Sequence, residues 1–143
     1  MITDQYHLFE LTADGDTLRS ITKADGLVPV TDFERQEALD RFDWFAAQGG
    51  KIDPSRIPEE KPPVDWFFLD DEGQVWVARA STSRDTVQLL DIFNANGQFL
   101  GTVVAPFRLQ QSPLPVVREG VLFGVVLSDL DVPYVVRAKI EKQ

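Results

Sequence analysis

The histidine and cysteine content of the chain limits which metal sites and catalytic groups it can form. His7 is the single histidine, and the 143 residues include no cysteine. Without cysteine there is no disulfide, no thiolate nucleophile and no cysteine-ligated metal, and one histidine is too few for the usual zinc ligand sets. A serine-histidine-aspartate triad would have to use His7, but no G-x-S-x-G segment supplies the serine. The pattern therefore predicts an ordinary strand histidine and no catalytic residue.

Two groups of neighbouring carboxylates come closest to a metal site: Asp70-Asp71-Glu72, and the aspartates at either end of residues 129–131. Calcium prefers six to eight oxygen ligands, and such loops supply some of them. Neither group has the spacing of a calcium-binding loop, and an acidic run followed by glycine is also typical of a hairpin turn. The prediction is a turn with no metal or cofactor, and calcium is the alternative.

Aromatic side chains provide the candidate binding surface. Trp44 and Phe45 lie in a segment with helical periodicity, whereas Trp66 and Phe68 share one face of a predicted strand. Such side chains contribute large contact areas to protein cores and to interfaces alike. Trp76 lies in a wholly apolar strand and is interpreted as core. For the other four, core packing and a ligand-binding surface both remain open.

The charge balance excludes one class of partner. The chain carries 14 basic and 23 acidic residues, a net charge of −9. This field repels phosphates, and no lysine or arginine cluster opposes it, so nucleic-acid binding is excluded. No apolar run approaches the roughly 20 residues of a transmembrane helix. The first residues lack the basic and apolar regions of a secretory signal, and the compartment stays open.

Hydrophobic periodicity predicts a β-hairpin followed by a helix. Residues 6–22 alternate on either side of an Asp-Gly turn, which is typical of a hairpin. Residues 31–48 are predicted to form one amphipathic helix, because Thr31 and Glu34 have the spacing of a capping box and apolar residues recur every three or four positions. We expect its apolar strip to pack on the sheet or under a loop, with partner binding as the alternative.

The rest of the chain is predicted to form β-sheet. The whole chain, residues 1–143, is predicted to be one domain. Four prolines in residues 51–63 predict an extended connector. Residues 63–106 contain four apolar runs separated by turn signals, which predict a complete four-stranded antiparallel meander. Residues 114–141 predict a three-stranded meander. The expected fold class is therefore mainly β, with one amphipathic helix between the first hairpin and the first complete meander.

Two segments of the complete meander carry a recognisable pattern. Residues 70–77 read D-D-E-G-Q-V-W-V, and residues 91–101 read D-I-F-N-A-N-G-Q-F-L-G. The second segment also repeats the turn of residues 13–16, which indicates an internal repeat. These paired segments resemble one blade of the six-bladed β-propellers related to NHL-repeat proteins.

The resemblance implies antiparallel β-meanders of the propeller-blade type. Residues 6–22 would be a half-blade hairpin, residues 63–106 a full blade and residues 114–141 a partial blade. Six blades need roughly 250 residues at about 40 per repeat. The chain is therefore expected to be the C-terminal portion of a longer propeller, to assemble a ring from several copies, or to be a sheet stack whose helix covers an edge.

The resemblance implies a noncatalytic binding or interaction module for a protein or small-molecule ligand. The alternatives are part of a propeller enzyme, such as a metal-assisted hydrolase or lyase, and a self-assembling structural protein. Relatives of this class are often exported, so the resemblance adds a periplasmic or extracellular location to the open alternatives if the chain is a portion of a longer protein.

Overall fold

The computed structural model describes residues 5–141, and it has the expected mainly β fold with antiparallel sheets. Short apolar runs alternate with turn residues, so the chain forms short strands rather than long helices. The strands are β1 (Tyr6–Leu11), β2 (Thr17–Lys23), β3 (Val28–Pro29), β4 (Glu60–Lys61), β5 (Val64–Leu69), β6 (Val75–Arg79), β7 (Gln88–Phe93), β8 (Phe99–Ala105), β9 (Val116–Arg118), β10 (Val121–Leu127) and β11 (Pro133–Lys139). The helices are α1 (Asp32–Asp40) and α2 (Asp43–Ala47).

Three sheets pair strands that are neighbours along the chain. Strands β1 and β2 form the hairpin, β5-β6-β7-β8 form the central sheet, and β9-β10-β11 form the terminal sheet. The predicted hairpin, four-stranded meander and three-stranded meander are confirmed in strand order. A short pairing of β3 with β4 joins the segment after the hairpin to the connector.

The central sheet lies between the other two sheets. Because side chains alternate along β6, Trp76 and Ala78 lie on one face, and Val75 and Val77 lie on the other. The first face packs against the terminal sheet, and the second packs against the hairpin. The buried residues of the first cluster are Trp66, Phe68, Trp76, Ala78, Leu90, Leu109, Val117, Leu122 and Val126, and those of the second are Tyr6, Ile21, Val75, Val77 and Phe93.

The loop after β8 contributes Leu109 to the space between the central and terminal sheets. The Leu109 N–H donates to the side-chain oxygen of buried Gln88 at 3.0 Å. The next residue, Gln110, donates its N–H to the carbonyl of Val125 at 2.7 Å. A Cβ placed on Gly124 would overlap the Leu109 side chain. The absence of a side chain at position 124 therefore lets the loop pack between the sheets.

Four turns share one hydrogen-bond pattern: residues 12–16, 70–74, 94–98 and 128–132. In each, the first residue donates its N–H to the carbonyl of the fifth, and its side-chain oxygen accepts the N–H of the fifth. The fourth residue has positive φ, and it is glycine in three turns and Asp131 in the last. The last turn was not predicted from the sequence, because Ser-Asp-Leu-Asp-Val lacks the glycine signal.

The helical prediction needs two corrections. A single helix was expected over residues 31–48, but the structure has two shorter helices there, separated by Arg41 and Phe42. The capping box itself is confirmed, because Thr31 and Glu34 cap each other reciprocally. The expected packing of the apolar strip on the sheet is wrong: neither helix has a buried residue. The hairpin and the terminal sheet already cover the two faces of the central sheet. Among the described residues, no helix is long and apolar enough to cross a membrane.

The proline-rich connector is mostly extended, as predicted for residues 51–63. Its regular structure consists of a 3₁₀ turn at Pro54–Arg56 and strand β4. The Asp53 carboxylate begins the 3₁₀ turn by accepting the Ser55 N–H at 3.1 Å. The connector thus leads from the helices to the first strand of the central sheet.

Candidate functional site

The most deeply buried charge in the described chain is the Asp91 carboxylate on β7. The Asp91 side chain is 0% exposed and accepts three hydrogen bonds from different strands. The Tyr6 hydroxyl donates at 3.0 Å, the Lys23 ammonium at 2.8 Å and the Thr102 hydroxyl at 2.6 Å. A buried carboxylate is stable only when its oxygens are paired in this way.

The network continues outward through a second carboxylate. Lys23 also contacts Asp25 at 3.2 Å, and Asp25 binds Arg79 at 2.9 Å. The Lys23 ammonium lies 5.5 Å from the ring centre of Tyr6 and 5.0 Å from that of Phe99, which adds cation–π attraction. Burial and the adjacent Asp91 raise the pKa of Tyr6 far above its usual value, so the phenol stays protonated as a donor.

This network joins elements rather than forming a reaction centre. Its carboxylate is inaccessible, and Tyr6, Lys23 and Thr102 all bond to it. Because Tyr6 and Lys23 belong to the hairpin and Asp91 belongs to the central sheet, the network fixes how the two pack. The sequence patterns did not predict this network. The available signal was one aspartate within the apolar strand β7.

The predicted binding surface divides into two unlike pairs. Trp66 and Phe68 are only 6% and 3% exposed and lie in the core between the central and terminal sheets, so they cannot contribute to a surface. Alternation along β5 shows that the two share a face, but not that another sheet covers it. Trp44 and Phe45 lie in α2 and are not part of that core cluster. Their side chains are 61% and 42% exposed.

The second pair belongs to a segment that we call the aromatic arm, residues 32–47. Phe33 and Phe42 in the same segment are 67% and 52% exposed. The Trp44 and Phe45 rings meet edge to face with their centres 5.9 Å apart. Phe45 also lies against Gly50, where a Cβ would overlap its ring. The arm thus presents four large aromatic side chains to solvent.

Polar contacts at its first turn hold the arm to the rest of the protein. The Glu34 carboxylate accepts from the Thr31 N–H at 2.9 Å and from the Lys61 ammonium at 2.6 Å. Lys61 in turn donates to the Ser81 carbonyl at 2.7 Å. Arg35 donates to two carbonyls of the connector. The arm is therefore anchored without using its aromatic side chains.

Glu34 should make the anchor sensitive to acid. Burial opposes its ionisation, but hydrogen bonds from Lys61 and Thr31 outweigh that effect and lower its pKa from 4.5 to about 2. A lowered pKa in the folded state gives stability that is present above pH 4.5 and is lost as the pH falls toward 2. The difference in unfolding free energy between wild type and Glu34→Gln should therefore shrink by about 2 kcal/mol between pH 6 and pH 2.

Urea unfolding at several pH values measures this difference. Glu37→Gln is the matched control, because Glu37 contacts Arg41 on the exposed surface of α1 and such pairs add little stability. Its difference from wild type should not change measurably over the same pH range. A constant difference for Glu34→Gln would contradict the anchoring role of its charge.

Both segments considered for calcium form turns. Asp70 accepts the N–H groups of Glu72 and Gln74 at 3.0 and 2.8 Å, and the indole N–H of Trp76 at 2.9 Å. It therefore builds its turn, as the turn interpretation predicted. In residues 128–132, the Ser128 hydroxyl makes the equivalent bonds. Among residues 5–141, no group of three metal-ligating side chains is assembled.

An open cavity of about 240 Å³ lies beside the anchor of the arm. Its charged lining includes Lys61, Asp65 and Arg108. Lys61 is bound to Glu34, and Arg108 donates to the Ser81 hydroxyl and to the Thr82 carbonyl. Both cations are therefore already engaged by the protein.

His7 lies on β1, as predicted for a strand histidine. Its ring centre is 3.9 Å from that of Phe9. Its Nε2 atom is buried without a hydrogen-bond partner among the described residues. No serine or carboxylate is positioned on it, so the described chain offers no triad around His7.

Comparison with known proteins gives no assignment: no family model, curated protein or solved structure matches this chain.

Proposed function

We propose that this protein is a noncatalytic binding module that uses the aromatic arm to bind a partner protein. The observation that carries the proposal is the exposure of Phe33, Phe42, Trp44 and Phe45 on a segment held in place by other contacts. Large apolar side chains that are exposed together on one segment often mark a site of protein interaction. Tryptophan and other aromatic residues are also enriched among the side chains that dominate binding energy.

The charges of the arm specify the chemistry of its partner. Residues 32–47 contain five acidic and two basic side chains, so the arm is negative around its aromatic residues. A complementary partner would have an apolar groove rimmed by lysine and arginine, into which a short helix inserts its aromatic side chains. The capping box and the Glu34–Lys61 pair hold the arm in a helical conformation before binding, which reduces the entropy lost on association.

The proposal includes the propeller-type interpretation of the sheets. A hairpin and two antiparallel meanders, each made of consecutive strands, stacked face to face and containing turns of one pattern, support it. In this interpretation the sheets are a scaffold, and the arm is an insertion between a half blade and a full blade. Binding sites on insertions between rigid elements are common.

A photo-cross-linker at position 44 tests the proposal. Benzoylphenylalanine replaces Trp44, the protein is cross-linked in its native cells, and the attached protein is identified and purified. Wild type, Trp44→Ala and Phe45→Ala are then titrated against that protein by calorimetry. Each substitution should raise Kd at least about 30-fold, as expected for anchor residues.

The matched control is Leu130→Ala, which removes an exposed apolar side chain from the turn at residues 128–132 and should leave Kd within about twofold. All three variants should retain the wild-type urea midpoint, because the substituted side chains are exposed. Unchanged binding by the Trp44 and Phe45 variants, or cross-linking only to a second copy of this chain, would overturn the proposal.

A further inference from the structure

The sheets of this protein pack through one repeated type of interface. The hairpin places Tyr6 and Ile21 against the face of the central sheet that carries Val75 and Val77. The opposite face of the central sheet packs against Leu122 and its neighbours in the terminal sheet. Within residues 5–141, no sheet covers the outer face of the hairpin or the outer face of the terminal sheet.

Equivalent residues show that both interfaces join the same two kinds of face. In the central sheet, Glu72-Gly73 precedes Val75, which faces the hairpin. In the terminal sheet, Glu119-Gly120 precedes Leu122, which faces the central sheet. Leu122 therefore has the place of Val75, and the next residue, Phe123, has the place of Trp76. Trp76 is covered by the following sheet, whereas Phe123 is exposed.

The outer face of the hairpin corresponds to the other half of this interface, the face of a sheet that the preceding sheet covers. Its turn at residues 12–16 has the hydrogen bonds of the turn at residues 94–98, so Leu11 has the place of Phe93. Phe93 is covered by the preceding hairpin. Leu11, Phe9 and Leu18 on the outer face of the hairpin are exposed. The two open faces are therefore the two complementary halves of the interface that occurs twice within the chain.

The outer face of the terminal sheet is apolar and basic. Strands β9, β10 and β11 contain no acidic residue in a chain that has 23. Arg137 and Lys139 lie on this face, and neither forms an ion pair within the described part of the chain. The exposed apolar residues of the same face are Val116, Phe123, Leu127 and Val135.

The hairpin offers the matching charge. Its outer face carries no lysine, arginine, aspartate or glutamate on strands β1 and β2, and its turn carries Asp14 and Asp16, both exposed. The interface between the hairpin and the central sheet has the same polarity: Arg19 of the hairpin donates to carbonyls in the turn at residues 94–98, and Lys23 binds a carboxylate of the central sheet. At that interface, cations of the earlier sheet meet acceptors of the later one.

We propose that the outer face of the terminal sheet binds the outer face of the hairpin in a second copy of this chain. The occupant follows from the complementary faces and charges, and the contact would continue the stack head to tail. Such a contact uses two different surfaces, so it builds a ring or an open stack rather than a symmetric dimer. These surfaces are distinct from the aromatic arm.

Sedimentation equilibrium and light scattering of the full chain from 1 to 200 µM test the proposal. Wild type should increase in mass with concentration. Phe9→Glu on the hairpin and Phe123→Glu on the terminal sheet should each raise the concentration of half-assembly at least about 30-fold. Leu100→Glu, which alters an exposed residue of β8, is the matched control and should assemble as wild type does. Circular dichroism and the urea midpoint establish that each variant is folded.

Mixing the two variants gives the decisive measurement. Phe9→Glu retains an intact terminal sheet, and Phe123→Glu retains an intact hairpin, so an equimolar mixture should form one-to-one dimers. Because the chain has no cysteine, a mixture of Phe9→Cys and Val135→Cys should also form an intermolecular disulfide under mild oxidation. A monomer at all concentrations, a mixture that stays monomeric, or assembly that survives both glutamate substitutions would overturn the proposal.

Discussion

Replacing Asp91 with alanine should lower the free energy of unfolding by about 3–5 kcal/mol, the largest effect of any single substitution proposed for this protein. The substitution leaves the Lys23 ammonium, the Tyr6 hydroxyl and the Thr102 hydroxyl without the acceptor that all three share. The partly buried Lys23 ammonium would keep only Asp25 as a carboxylate partner among the described residues, and the loss of its contact with Asp91 is therefore costly. Urea unfolding followed by circular dichroism measures the change.

Asp71→Ala is the matched control for Asp91→Ala. Asp71 is an exposed carboxylate of the turn at residues 70–74, and its contact with Arg118 is long, at 4.0 Å. Its replacement should change stability by less than about 0.5 kcal/mol. If Asp91→Ala were as mild as the control, the network would not be what holds the hairpin on the central sheet.

The second large effect is expected for Gly124→Val on β10. The new side chain would occupy the volume of Leu109, which is buried between the central and terminal sheets. Overpacking of a core in this way costs about 1–3 kcal/mol. Displacement of Leu109 would also strain the bond from its N–H to Gln88. A lower urea midpoint with an unchanged slope is the expected result.

A double substitution identifies the cause. Gly124→Val combined with Leu109→Ala should be more stable than the sum of the two single effects predicts, because each change relieves the other. Gly26→Val is the control, since a side chain at Gly26 meets open space and its φ is not positive. Strict additivity in the double variant would show that position 124 does not contact Leu109 in solution.

The sequence predicted the sheets well because the relevant signals are local. Alternation and turn residues define each strand, and short connections between consecutive strands favour antiparallel pairing. The capping box of Thr31 and Glu34 was likewise predictable, since its two partners lie within four residues of each other. Strand order and the start of α1 were therefore predictable.

Contacts between distant residues were not predictable. Asp91 meets Tyr6 and Lys23 across separations of 85 and 68 residues, and nothing in β7 indicates which donors will reach its carboxylate. The aromatic residues show the same limit. Periodicity places Trp66 and Trp44 on apolar faces, but whether a face is covered depends on how sheets stack. Trp66 is buried in the core, and Trp44 is exposed at the surface.

The pairing of consecutive strands in each of the three main sheets has a consequence for the order of folding. Each sheet closes only short loops, so each can form early and separately. The separations of 85 and 68 residues occur where the hairpin docks on the central sheet. The slow step of folding should therefore be the docking of preformed sheets. Before docking, the face of β6 that carries Val75 and Val77 would be exposed to solvent. That face would then be the surface most prone to aggregate during synthesis.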